Sequence, residues 1–448
     1  MTPGARLQAA IELLDDIARG GAADAASSTY FRSRRYIGSK DRAAISERLY
    51  ALLRARARLG WWIEQATGSA EPAAGRARVI AALALVDGWR IKDFGPDFDG
   101  GAYRPAPLSA DERRLVEGLA GQALEYPDQP AWVRGEYPAW LEETLAAVSE
   151  PELRALNAPA PLDLRVNPLA ASRDQALDGL TEAGIKAAPT RFSPFGLRVV
   201  GRPPLGQLSV FQDGWVEIQD EGSQLVALLA DARPGQLVMD LCAGAGGKTL
   251  ALAASMQNKG RLIACDVSEK RLERAVKRLR RAGVHNVERR ALGPDTTTWL
   301  KRQAGRFDRV LVDAPCSGTG TWRRNPDMKW RIGPADVAEL RHVQDDVLDR
   351  ASRLVKPGGR LIYATCSLLP AENEQAVEAF LERHAEFRVL PVAGVWADVL
   401  EGACPVDGPY LRLTPARHHT DGFFAAILER VVAVPAAPEA PPPEATAA

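Results

Sequence analysis

The sequence predicts an α/β protein: a doubly wound, Rossmann-like parallel sheet in its C-terminal half, preceded by a small α+β module and an all-helical region. Three observations predict it. From about Glu221 onward, apolar strand-like runs alternate with helical patterns. A glycine loop, DLCAGAGGKT at residues 240–249, follows the first of those runs and opens a helix. Residues 1 to about 150 carry helical periodicity without strand alternation.

The bulk properties set the frame. A chain of 448 residues has room for about three domains. Its 25% charged and 46% hydrophobic residues are ordinary for a globular protein. The formal net charge is zero, so only local basic patches can point to nucleic acid. No apolar run is long enough to span a membrane, and MTPGARLQAAIELLDD turns amphipathic and acidic too early for a signal peptide. Cys242, Cys265, Cys316, Cys366 and Cys404 are odd in number, scattered and never spaced as CxxC. That spacing argues against a disulfide framework and a zinc site. The expectation is a reduced, cytoplasmic setting, no metal and a monomeric chain.

Residues 1–150 form the expected helical domain, with patterns such as RLQAAIELLDDIA. Between Tyr30 and Gly60 stand Arg32, Arg34, Arg35, Lys40, Arg42, Arg48, Arg54, Arg56 and Arg58, against Asp41 and Glu47. With Tyr30, Phe31 and Tyr36 interleaved, this reads as a phosphate-facing surface, and equally as a solvated helix face. The stretch FGPDFDGGAYRPAPLS (94–109) reads as a long loop. Residues 151–222 form the α+β module: LDLRVN, GLRVVG and WVEIQD as strands and SRDQALDGLTEAG as a helix. Residues 223–432 form the sheet domain, with strands QLVMDL, RLIACD, RVLVDA and RLIYAT. LRLTP and FFAAILER add an antiparallel hairpin, and the Pro/Ala tail at 433–448 is expected to be disordered.

The glycine loop admits three readings. A Walker A loop needs glycine where this chain has Cys242, so a nucleotide-phosphate loop is disfavoured. The dinucleotide fingerprint fits Gly244 and Gly246 but meets Thr249 where its third glycine belongs. The third reading is a methyl-donor loop, where glycines let the backbone approach S-adenosylmethionine. Asp266, ending the second strand, is placed to accept hydrogen bonds from ribose hydroxyls, although it also suits a cap on the next helix.

Ligands of parallel sheets bind outside the carboxyl ends of the strands. That edge receives Gly244, Asp266, Asp313 with Cys316, and Cys366. Taken singly, a cysteine after a buried strand is more often a small core residue. Two thiols and a carboxylate beside a nucleoside-type cofactor instead suit methylation of pyrimidine carbon 5. That carbon is not nucleophilic until a thiolate adds to carbon 6. Such a site also needs its base taken out of the stack.

DLCAGAGGKT, VDAPCSGTGTWRRNPDMKW and LIYATCSLLPAENE resemble the motifs of the Sun/Fmu (RsmB-like) family of RNA 5-methylcytosine methyltransferases, over roughly residues 160–430. The resemblance implies a class I methyltransferase fold, with Cys366 as nucleophile, Cys316 assisting product release, and Asp313 lying between cofactor and cytosine. It implies that Cys242, Ala243, Gly244, Ala245, Gly246, Gly247 and Lys248, with Asp266, bind S-adenosylmethionine. DNA cytosine-5 methyltransferases use the cysteine of the Pro-Cys pair, here Cys316, so the additional Thr-Cys-Ser moves the nucleophile to Cys366. Two departures stand out: Ala245 where relatives commonly have proline, and no acid at the usual adenine-side position, for which Asp295 is a displaced candidate. Glu372 reads as a helix cap rather than a catalytic acid.

In TWRRNPDMKWR (321–331), Trp322 and Trp330 accompany Arg323, Arg324, Lys329 and Arg331. This segment is expected to grip phosphates and stack bases, the other reading being packed tryptophans with snorkelling arginines. The helical N-terminal region resembles the NusB-like RNA-binding domain that precedes RsmB-like catalytic parts, which implies small-subunit rRNA over tRNA as partner. A catalytically idle assembly factor would need neither the two thiols nor the two aspartates. A small-molecule or protein methyltransferase would not need the thiol pair.

Overall fold

Spacing of apolar residues in steps of three and four explains the first layer. Leu7, Ala10, Ile11, Leu14 and Ile17 fall on one face of the helix Pro3–Ala18, whose first turn is capped by the Thr2 hydroxyl accepting from the Ala5 N–H. Helices Ser39–Arg54, Arg56–Thr67 and Gly75–Leu85 present Ile45, Leu49, Leu59 and Ile80 to the same core. The computed structural model describes residues 1–69 and 74–432, and the Pro/Ala tail expected at 433–448 lies outside the described residues. Short helices at Ala131–Arg134, Glu142–Leu145 and Glu150–Asn157 then carry the chain towards the sheet domain. Their Tyr137, Leu141 and Leu145 pack with Trp322 and Leu369.

A four-stranded antiparallel sheet follows. It comprises β1 (Leu162–Val166), β2 (Ala187–Pro189), β3 (Gly196–Val199) and β4 (Val216–Ile218), in the order β2-β3-β1-β4. The helix Arg173–Glu182, opened by a Ser172/Gln175 capping box, closes its apolar face over Leu164, Val166, Leu197 and Val216.

The large sheet contains β5 (Leu237–Asp240), β6 (Arg261–Asp266), β7 (Val287–Ala291), β8 (Phe307–Asp313), β9 (Val355–Thr365), β10 (Phe387–Leu390), β11 (Leu411–Leu413) and β12 (Phe423–Arg430). Its order is β10-β12-β9-β8-β5-β6-β7, with β11 paired to β12. Strands β5 to β9 run parallel, and β12 returns antiparallel to β9. The expected hairpin therefore forms, and its second strand is also inserted between β9 and β10. The runs are continuously apolar because helices cover both faces. On β9, Leu361 and Tyr363 enter one core, while Ile362 and Ala364 enter the other.

Chain order reverses between β5 and β8, which are adjacent, so the crevice for a ligand opens beyond Asp240 and Asp313. This is the class I methyltransferase architecture.

Candidate active site

The glycine loop turns sharply because Gly244 (φ 54°) and Gly246 (φ 83°) adopt left-handed backbone conformations. At Gly246 a Cβ would also come within 3.0 Å of the Ala275 Cβ. Asp266 supports the loop: its carboxylate accepts from the Gly244 N–H at 2.9 Å and from the Ser268 N–H at 2.7 Å. The following helix is capped by Ser268, so Asp266 serves the loop rather than the helix alone.

A cleft of about 600 Å³ opens over this loop. Cys242, Ala243, Gly244, Ala245, Gly247, Lys248, Asp266, Asp313 and Cys316 all line it. Gly246 shapes the turn beneath. Gln219, Ser223, Asp240, Val267, Leu292 and Arg350 also contribute, none of them singled out by sequence motif. Asp240 had a legible signal, an acid ending a strand directly ahead of a glycine loop.

Asp240 is fully buried and accepts a hydrogen bond from the Thr249 hydroxyl at 2.7 Å. Its other oxygen has no hydrogen-bond partner among the described residues. Burial pushes its pKa up to about 7, helped by repulsion from Asp313 and Asp266. An unpartnered carboxylate oxygen, a glycine cradle and three clustered aspartates fit a cationic nucleoside such as S-adenosylmethionine.

Asp295 requires a correction. It is exposed on a short turn, Pro294–Thr296, and lines neither this cleft nor the adjoining 700 Å³ hollow beside Val267, Leu292 and Arg350. Its neighbours Gly293, Pro294 and Thr296 line that hollow, while the Asp295 side chain is exposed.

The reactive end is built where β8 and β9 finish side by side, Asp313 lying in register with Ala364. The Gly320 N–H donates to the Cys366 carbonyl at 2.9 Å and the Gly422 N–H to the Gly320 carbonyl at 2.8 Å, so the Cys316 turn is fastened to the end of β9. The two sulfurs stand 3.5 Å apart, both half-buried. Lys248 Nζ pairs with Asp313 at 2.7 Å and lies 5.4 Å from the Phe423 ring centroid. Burial alone would lower the Lys248 ammonium, but Asp313 and the nearby Cys366 hold it above its usual range. The Cys316 thiol is pushed well up by its contact with Cys366, by burial and by the charge of Glu372.

Glu372, read from the sequence as a helix cap, does not cap the following helix, whose first residue is preceded by Asn373. It is wholly buried and accepts from the Ser317 N–H at 2.9 Å, the Ser317 and Ser367 hydroxyls, and Gln344 Nε2 at 3.0 Å. The sequence hid this role because its four donors come from three separate segments.

The expected phosphate grip at Arg323, Arg324 and Lys329 is overturned. Arg323 and Arg324 are held by Asp220 and Asp421, with Arg324 reaching Asp220 at 2.8 Å. Burial and repulsion from Asp421 push Asp220 up to about 6, so the quartet is tightly coupled. Lys329 is 1% exposed and donates to Asn157 Oδ1 at 2.9 Å. Trp322 is buried, and Arg56 of the helical region lies over Trp330 at 5.1 Å. This segment docks the helical region: Asp327 accepts from the Ala23 N–H at 3.0 Å, and Arg54 donates to the Arg323 carbonyl at 3.0 Å.

The nine basic residues of 30–60 separate accordingly. Arg54, Arg56 and Arg58 serve the dock or Glu136, Arg48 pairs with Asp87, and Arg34 with Glu12. Arg32, Arg35 and Arg42 line an open hollow of about 450 Å³ with Ser28 and Phe31, near exposed Lys40 and Tyr36.

Comparison with known proteins agrees with the site. Residues 227–429 match the family described as 16S rRNA methyltransferase RsmB/F, and residues 137–205 match its ferredoxin-like domain. Ribosomal RNA small subunit methyltransferase B of Serratia proteamaculans is 32% identical over 419 residues, covering 88% of this chain and 91% of that protein. The crystal structure of PH0851 superposes with a TM-score of 0.76 at 27% identity, covering 96% of this chain and 99% of that one. A methyltransferase homolog from Pyrococcus horikoshii gives 0.57 at 28% identity, over 67% of this chain and 97% of its own. The glycine cradle, the aspartates around it and these likenesses lead to one conclusion: the chain belongs to the RsmB/F family of S-adenosylmethionine-dependent rRNA methyltransferases.

Proposed function

We propose that the protein methylates carbon 5 of a cytosine in 16S rRNA through a covalent adduct between Cys366 and cytosine carbon 6. The observation that carries this reading is the pair of sulfurs 3.5 Å apart at the end of the cofactor cleft, beside the Lys248–Asp313 pair. S-adenosylmethionine, held by residues 242–248 and Asp266, supplies an electrophilic methyl group. Cys366 Sγ adds to carbon 6, and Asp313 steadies the pyrimidine N3 edge as electron density moves to carbon 5. Carbon 5 takes the methyl group. A base then removes the carbon-5 proton, the carbon 5–carbon 6 double bond re-forms and the Cys366 thiolate departs. Cys316 assists that departure by donating its S–H hydrogen bond to the leaving sulfur.

The RNA approaches along the helical region, taken as residues 1–150, with the 151–222 module and the 223–432 domain completing the path. Arg32, Arg35, Lys40 and Arg42 supply the sequence-independent phosphate contacts there.

The test is tritiated methyl transfer from S-adenosylmethionine to unmodified 16S rRNA and tRNA transcripts. Cys366→Ala is expected to lose turnover by about a thousandfold or more. Cys316→Ala is expected to accumulate a covalent RNA adduct, seen as a shifted band. An adduct from Cys366→Ala instead would reverse the roles, and labelling of tRNA alone would sink the ribosomal assignment.

A further inference from the structure

Two neighbouring thiols raise a question of assignment: what makes one the nucleophile and leaves the other its assistant? Glu372 touches the residue after each of them. Its Oε1 receives the Ser317 N–H at 2.9 Å and Gln344 Nε2 at 3.0 Å, and its Oε2 receives the hydroxyls of Ser317 and Ser367. Those hydroxyls lie 3.0 Å apart, and Thr319 Oγ1 joins them by accepting from the Leu368 N–H at 2.7 Å. Gln344 also donates to the Pro315 carbonyl at 2.8 Å, so the residue before Cys316 is tied into the same cluster. Glu372 is 0% exposed and forms no ion pair among the described residues. An uncompensated buried carboxylate is costly, so its retention calls for a reason.

We propose that Glu372 is a positioning residue that locks the two cysteine-bearing turns into one rigid unit and, through its unbalanced charge, reserves the nucleophile's role for Cys366. The inference rests on the two-thiol reading above.

The charges around the pair are polarised. Facing Cys316 are Tyr363 from β9 and Cys366 just past its end, Glu372 from the turn Pro370–Glu372, and Asp336, Glu339 and Arg350 from the helix Pro334–Ser352. Arg331 flanks the outer groove, while Asp313 and Lys248 flank the cofactor side. Cys366 and Glu372 both oppose ionisation of Cys316, together with burial. Lys248, by contrast, is the cation that interacts with Cys366. Glu372 thus holds the backbone N–H of the residue after Cys316 but only a side-chain hydroxyl of the residue after Cys366, and its charge works against ionisation of Cys316. The Cys316 proton stays available for the hydrogen bond to the departing sulfur.

Glu372→Gln tests this with little change of shape. Glutamine keeps an oxygen for the Ser317 N–H and Gln344, and its amide meets two hydroxyls that can rotate to accept. In a Cys366→Ala background without RNA, iodoacetamide alkylation of Cys316, followed by peptide mass spectrometry across pH, is expected to shift its midpoint down by about one pH unit or more. With Cys366 intact, Glu372→Gln is expected to lower kcat about tenfold, leaving KM for S-adenosylmethionine and RNA within about twofold. Glu372→Asp, which keeps the charge but shortens the reach, should hold the alkylation midpoint and still lower kcat. An unmoved midpoint in Glu372→Gln overturns the electrostatic half, and an unchanged kcat in both variants overturns the positioning half. The alkylation reading requires no methylation, so its failure is separable from a failure of the cytosine assignment, which the wild-type transfer assay reports.

Discussion

The end of β8 with its turn, and the segment 321–331 just beyond it, use the same kinds of residue to opposite ends. In the first, Asp240, Lys248, Asp313 and Cys316 line a cleft with one carboxylate oxygen unpartnered, and the buried Glu372 behind the Cys316 turn lacks a cation. In the second, Arg323 and Arg324 meet Asp220 and Asp421 two against two, and nothing is left over. Arginine beside tryptophan reads as a nucleic-acid grip in sequence, yet here the charges are spent on docking. Residue type alone does not separate chemistry from structure; whether each charge is already balanced does.

The largest expected effect tests the balanced quartet. Arg324→Ala leaves two buried carboxylates to share the single cation of Arg323 and is expected to cost about 3 kcal/mol of stability, read by chemical denaturation. RNA affinity of the folded protein should stay within about twofold. A large loss of RNA affinity at unchanged stability would make the quartet an RNA contact and break the comparison.

The unbalanced site gives a middle-sized effect. Asp240 has its pKa pushed up to about 7, and a bound cation favours its ionised form. S-adenosylmethionine affinity, measured by calorimetry, is therefore expected to rise about tenfold per pH unit below 7 and level off above it. Asp240→Asn should bind more weakly and flatten that slope. The sign for the free protein is opposite. A carboxyl whose folded value is raised from 3.8 to about 7 makes the fold lose stability as pH rises through that window.

A third effect, confined to alkaline pH, concerns Lys329, where burial lowers the ammonium from 10.5 to about 8 despite the attraction of Glu136. Between those values the unfolded chain binds the extra proton, so wild type gains stability relative to Lys329→Met as pH rises from about 8 towards 10.5. Paired thermal melts across that range check it. A gap independent of pH would mean that Lys329 keeps its proton at the dock throughout that range.

Much of the site was legible in the chain because contiguous motifs carry their own geometry. DLCAGAGGKT places its glycines at the end of β5, and the strands ending at Asp266, Asp313 and Thr365 must deliver their next residues to the same edge. What was not legible came from residues distant in sequence. Glu372 reads as a helix cap until Ser317, Ser367 and Gln344 are seen to converge on it. Asp295 reads as a cofactor contact until the structure shows it exposed and outside the cleft that Leu292, three residues earlier, lines.

The sequence by itself determined the alternation of strands and helices, the glycine loop and the thiol pair at one sheet edge, because local spacing and strand polarity fix which side chains share an edge; the methyl-donor reading came from the family resemblance of the motifs. Only the tertiary structure decided which charges meet. Asp220 and Asp421, 201 residues apart, neutralise the arginines of the DAPCSGTGTWRR run, while Glu372 keeps its charge. Electrostatic balance depends on distances through space and on burial, neither of which is written in any single stretch of the chain.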